Sequence, residues 1–119
     1  MRDYKKLFIW ERSHKLAVDV YNLSKSFPKE ELYGMTSQIR RAVISIPTNI
    51  VEGCGRKTDK DFSRFLSIAA GSASETEYLI ILSTELSFID KTVAEPLIIE
   101  INEIKKMLNV FQIKLNAKN

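Results

Sequence analysis

The stretch SQIRRAVISIPTNIVEGCGR, from Ser37 to Arg56, restricts the possible folds more than any other part of the chain. Wound at about 100° per residue, it places Ile39, Ala42, Val43, Ile46 and Ile50 on one arc. Gln38, Arg41, Ser45, Asn49 and Glu52 form a polar second arc, and Arg40, Ile44, Pro47 and Val51 a third. An ordinary surface helix has one apolar stripe and one solvated face. This one has a core stripe, a polar seam and a second, partly apolar face, which predicts contact with more than one neighbour. Pro47 lacks an N–H and crowds the carbonyl of Val43, so a kink is expected there. Gly53 and Gly55 offer a helix stop. Arg41 and Glu52 stand about three turns apart, too far for an i, i+4 pair, so each needs another partner or solvent.

Three further helices flank this one. The first is predicted from about Ile9 to Ser26, with Trp10, Ser13, Ala17, Val20, Tyr21 and Phe27 on a broad arc edged by Leu16 and Leu23. Phe27-Pro28 ends it, because a residue before proline disfavours the α conformation. The Ser37–Arg56 pattern then extends over a helix from about Met35 to Glu52. The next helix opens on Thr58-Asp59-Lys60-Asp61, a capping-box pattern with Thr58 as N-cap, and runs from Asp59 to about Leu86. Its stripe is Phe62, Phe65, Leu66, Ala69, Ala70, Ala73, Thr76 and Ile80, and Ala69 to Ala73 form a small-residue patch that lets a neighbour approach closely. The last helix follows Asp90 or Thr92 and runs to about Leu115. Along it Leu97, Ile101, Ile104, Leu108, Phe111 and Leu115 step alternately by four and three, a heptad seam. Strand-like alternation is missing and the links are short. The chain is therefore read as one all-α domain over residues 1–119, an up-and-down antiparallel four-helix bundle.

Composition closes off several functions. The longest apolar runs fall far short of the roughly 20 residues that cross a bilayer, so no membrane partner is expected and the cytoplasm is the expected location. Cys54 and His14 stand alone, too few for a zinc site, and Cys54 reads as a small packed residue. No nucleophile–base pair, metal-ligand cluster or glycine-rich phosphate loop is evident, so neither enzymatic activity nor a cofactor is expected. Glu77 lies at the edge of its helix's core stripe, where a carboxylate needs a partner; Arg41 or Arg40 is the expected one. Glu75, on the other side, would serve an interface. The net charge of +3 is unevenly spread. Residues 1–57 hold eleven Lys/Arg against six Asp/Glu, residues 58–90 two against six, and residues 91–119 five against three. Such a split favours an acidic partner such as RNA, or contact between unlike faces of two copies.

The stretches FPKEELYGMTSQIRRAVISIPTNIVEGCGR and DFSRFLSIAAGSASETEYL, with Trp10 near the start of the first helix and the late KKMLNVF, carry a resemblance that covers nearly the whole chain. On these the sequence resembles the four-helix-bundle proteins encoded in intervening sequences of bacterial large-subunit ribosomal RNA genes. The departures are mild: Thr48 where Ser is usual, Cys54 where an aromatic is common, and SASETE where a Leu more often follows Gly-Ser. The resemblance implies a left-handed bundle that assembles as a homopentamer. It also points to the accessory protein of diversity-generating retroelements, whose basic pentamer is associated with nucleic acid and a reverse transcriptase. The tie to ribosomal RNA is one of gene location.

Two surfaces are expected to act. Arg40, Arg56, Lys57, Lys60 and Arg64 flank the link between the second and third helices and are the candidates for binding RNA or DNA. Because Phe62 and Phe65 lie on the core stripe, binding there is expected to be electrostatic rather than by stacking. Ile44, Val51, Ile68, Glu75, Leu79, Leu82 and Leu86 lie off the core stripes and are the candidates for self-assembly into a ring, helped by Ile98, Ile99, Val110 and Ile113. Arg41, Asn49, Glu52 and Glu77 are expected to form a structural polar seam. The alternative function is a protein-interaction scaffold or accessory subunit, with a partner protein and no direct nucleic-acid role.

Overall fold

The computed structural model describes residues 2–117. Over these described residues the chain is 85% helical and contains no strand. After a 3-10 turn at Tyr4–Lys6, four helices follow: α1 (Phe8–Leu23), α2 (Met35–Cys54), α3 (Asp59–Glu85) and α4 (Lys91–Ala117). Each packs on its chain neighbours, and α4 closes back on α1, while the backbones of the diagonal pairs α1/α3 and α2/α4 stand apart. The result is a square bundle of 47 × 23 × 20 Å.

The expected stripes supply the core. Ile39, Val43, Ile46 and Ile50 of α2, Leu66, Ala69, Ala73 and Ile80 of α3, and Ile101, Ile104 and Leu108 of α4 are fully buried. Each large aliphatic side chain among them contributes about 1.5–3 kcal/mol through its burial. On α1 the buried face centres on Ile9, Leu16 and Val20, whereas Trp10 is half-buried and Tyr21 exposed. The arc is thus turned toward Leu16 from where the sequence put it. Phe65 is also only half-buried.

Local chemistry sets the helix ends. Thr58 caps α3 by accepting a hydrogen bond from the Asp61 N–H at 3.1 Å. At the far end of α3 the Phe88 N–H donates to the Ser83 carbonyl and the Ser87 N–H to that of Thr84, with Ser87 left-handed at φ 66°. This is a Schellman ending, and Phe88, just past it, packs on Phe27 at 5.7 Å. The expected stop is met at Gly55, the C-cap of α2, and not at Gly53. Helix α2 runs through Pro47 and Gly53 to Cys54, and Gly55 has ordinary right-handed angles. Gly53 is needed for space: a Cβ there would stand 2.5 Å from the buried Phe62 ring.

The polar seam is partly re-partnered. Asn49 donates to the Ser45 carbonyl (2.8 Å) and hydroxyl (2.9 Å), and the Ser72 hydroxyl of α3 donates to that of Ser45 at 2.8 Å. Ala69 and Ala73 line this close approach, but Gly71 faces open space and plays no part in it. Glu52 pairs with Arg56 one turn on, at 3.2 Å. The Arg41 side chain is exposed and has no hydrogen bond or ion pair among the described residues.

Glu77 takes its partners from α4, not from Arg40 or Arg41. Its carboxylate accepts from Asn102 Nδ2 at 2.9 Å and from Lys105 Nζ at 3.2 Å. The Asn102 hydrogen bond, aided by Lys105, holds the Glu77 carboxyl below its ordinary value against the opposing effect of burial. A depressed folded-state pKa gives stability that is present above the unfolded-state value, about 4.5, and is lost as pH falls through the folded one. Urea midpoints at pH 7 and pH 3 should therefore differ less for Glu77→Gln than for the parent. An equal loss in both proteins would show that the α3–α4 contact does not depend on this carboxylate's charge.

Candidate nucleic-acid interface

The N-terminal arm, the α2–α3 link and the end of α4 meet at one end of the bundle. Asp3 caps the first turn through the Lys5 N–H at 3.1 Å. The Arg2 N–H donates to the Cys54 carbonyl at 3.1 Å, satisfying an acceptor left over at the end of α2. The Arg2 guanidinium lies 5.4 Å from the Phe62 ring centre and 5.5 Å from that of Phe111, and pairs with Asp59 at 3.6 Å. Phe62 and Phe111 meet edge to face at 5.3 Å. Gly53 is what lets the Phe62 ring in, so a small residue of α2, an aromatic pair from α3 and α4, and an arginine from the arm hold the junction together.

Cations from three segments gather around it. The arm brings Arg2, Lys5 and Lys6; the link and first turns of α3 bring Arg56, Lys57, Lys60 and Arg64; α4 brings Lys106 and Lys114. Arg56 pairs with Glu52, and Arg64 with Asp61 at 3.0 Å. Both guanidiniums cover Phe65, at 4.6 and 4.5 Å from its ring centre. Lys57, Lys60, Lys6 and Lys114 are exposed and have no ion pair among the described residues. Arg40 does not belong to this group. It lies 16 residues before Arg56, about 24 Å along a helix. There its Nε donates to Ser24 Oγ at 2.7 Å and its guanidinium stacks over Tyr21 at 4.1 Å.

The sequence reading missed Arg2, Lys6, Lys106 and Lys114. A signal for two of them was present: Lys106, Val110 and Lys114 follow an i, i+4, i+8 spacing that puts them on one face of α4 beside its seam. With Leu7, Phe8, Met107 and Phe111 these residues line a groove of about 570 Å³.

The self-assembly candidates differ in exposure. Ile44 and Val51 line a second groove, about 350 Å³, with Trp10, Val18 and Tyr21 of α1. Ile68 and Leu86 are exposed and Leu82 half-buried. Glu75 is exposed and accepts from Gln38 Nε2 at 3.3 Å. Leu79 is corrected: it is 6% exposed and belongs to the core. On α4, Ile99, Val110 and Ile113 are exposed, whereas Ile98 packs against the core.

The chemistry of the remaining candidates is quiet. Cys54 is buried, and burial pushes its thiol up, away from the reactive thiolate. His14 is exposed and stacks on Trp10 at 5.0 Å. Among the described residues no group of three or more His, Cys, Asp or Glu could hold a metal ion, and no helix is long and apolar enough to cross a membrane.

The model of the 23S rRNA-intervening sequence protein family matches residues 5–110. Among solved structures, the chain is similar to the crystal structure of a protein with unknown function from the S23 ribosomal protein family of Bacteroides thetaiotaomicron. The two are 30% identical, with a TM-score of 0.81, over 87% of this chain and 97% of that one. No curated protein matches.

Proposed function

The chain belongs to the 23S rRNA-intervening sequence protein family, and from that premise we propose that it is a non-enzymatic homo-oligomer whose basic pole holds nucleic acid, RNA first. The observation that carries this reading is the convergence of lysines and arginines from the arm, the α2–α3 link and α4 on one end of the bundle. Several of these cations have no ion pair among the described residues and are free to meet phosphates. Contacts to phosphate position a nucleic acid without reading its bases. The relation to retroelement accessory proteins implied by the sequence resemblance points the same way, toward a basic assembly that carries nucleic acid in the cytoplasm.

Assembly into a homopentamer is the second part of the proposal. Exposed Ile44, Ile68, Leu86, Ile99 and Ile113 support it, because a lone bundle leaves them all in water. So does the charge split, which suits a contact between unlike faces; such contacts close into rings. The number five rests on the resemblance.

Filter binding with structured RNA and with DNA at low salt tests the first part. The parent protein should bind, and the double variant Lys57→Glu/Lys60→Glu should bind at least about tenfold more weakly, because two phosphate contacts become repulsive. No binding by the parent at low salt would leave the protein-interaction scaffold in its place. Light scattering at micromolar concentration tests the second part: a pentamer is expected, and a monomer would overturn it.

A further inference from the structure

Phe8 is an unusual residue for a basic pole. It opens α1 and is 74% exposed, between the half-buried Leu7 and the buried Ile9. The other phenylalanines at this end are covered: Phe62 and Phe111 by Arg2 and by each other, Phe65 by Arg56 and Arg64. No aromatic ring or cation covers Phe8 among the described residues. An exposed aromatic ring costs hydration free energy that an isolated bundle does not recover.

The groove of about 570 Å³ beside that ring has a distinct composition. Its lining is mostly apolar, with Met107 and Phe111 among its walls, and its charged residues are Arg2, Lys6, Lys106 and Lys114. Among the described residues no carboxylate lines it. A groove that offers a free aromatic face, an apolar floor and cations alone suits a flat ring that carries a phosphate. A nucleotide with an unpaired base has that form. In a duplex the base faces are already stacked, so only the phosphates could use this surface. Aromatic side chains among cations are how proteins hold single strands.

We propose that Phe8 and this groove stack an unpaired base, so that the basic pole prefers single-stranded RNA to duplex. The proposal rests on the nucleic-acid reading above and refines it, since the sequence placed no stacking aromatic among the cations.

Fluorescence anisotropy on the full chain, with one labelled RNA strand alone and annealed to its complement, tests it at physiological salt. The single strand should bind about tenfold more tightly than the duplex, the scale of one stacked base. Phe8→Ala should remove that advantage while duplex affinity stays within about twofold, and Phe8→Trp should restore it. Circular dichroism of both variants should match the parent, because the side chain is exposed. Equal affinity of the parent for strand and duplex would overturn the stacking role and leave the basic pole intact. So would a Phe8→Ala variant that binds both forms as the parent does. Loss of all binding at low salt in the parent would overturn the nucleic-acid reading itself. A Phe8→Ala variant that changes the oligomeric state in light scattering would assign the groove to contact between copies, and would overturn the proposal.

Discussion

Leu108→Ala is expected to lower the unfolding free energy by about 2–5 kcal/mol. Leu108 is fully buried and lies on the α4 seam between Ile104 and Phe111. Truncation removes the transfer free energy of its methyl groups and leaves a cavity. Neighbours on all sides are held by their own helices and cannot fully close it. A domain of this size has a total stability of about 5–15 kcal/mol, so the loss is a large fraction of it. Val93→Ala is the control. Val93 lies on the same helix but is 44% exposed, and its truncation should change stability by no more than about 0.5 kcal/mol. Urea denaturation at one fixed protein concentration measures both, since assembly would make the midpoint depend on concentration. A near-neutral Leu108→Ala would move the seam to the surface and undo the bundle's α3–α4 and α4–α1 contacts.

Raising the salt from 50 to 200 mM is expected to weaken RNA binding by about three hundredfold, if the pole engages about six phosphates of a single strand. Each phosphate neutralised by a lysine or arginine releases condensed counterions, so the logarithm of affinity falls linearly with that of salt, by about 0.7 per contact on a single strand. Lys6, Lys57, Lys60 and Lys114 are free to contribute fully. Arg56 and Arg64 already meet Glu52 and Asp61, so part of what each gains from a phosphate is lost from its carboxylate. Lys57→Ala should reduce the slope by about 0.7, whereas Arg40→Ala, distant from the pole and engaged with Ser24 and Tyr21, should leave it unchanged. A flat salt dependence would exclude phosphate contacts as the source of binding. An Arg40→Ala variant with a reduced slope would return that residue to the interface.

Periodicity and local chemistry determined the four helices, most of the core stripes and the Thr58 cap. These depend on neighbours within a turn or two, where about 100° per residue fixes which side chains share a face. Tertiary structure alone decided what met those faces. Ile68 and Leu79 were both read off the core stripe of α3, yet Ile68 is exposed and Leu79 buried, because burial depends on which stretch of a neighbouring helix covers each turn. The partner of Glu77 came from α4 rather than α2, a choice set by the side on which each neighbour lies in a square bundle. Gly53 looked like a helix stop and proved to be the space for a ring of α3. The basic pole gathers residues from both ends of the chain and from the link, and excludes Arg40, which the sequence had grouped with the link. Those groupings are long-range: they arise only when helices of different lengths are laid side by side, and no local pattern encodes which ends will coincide.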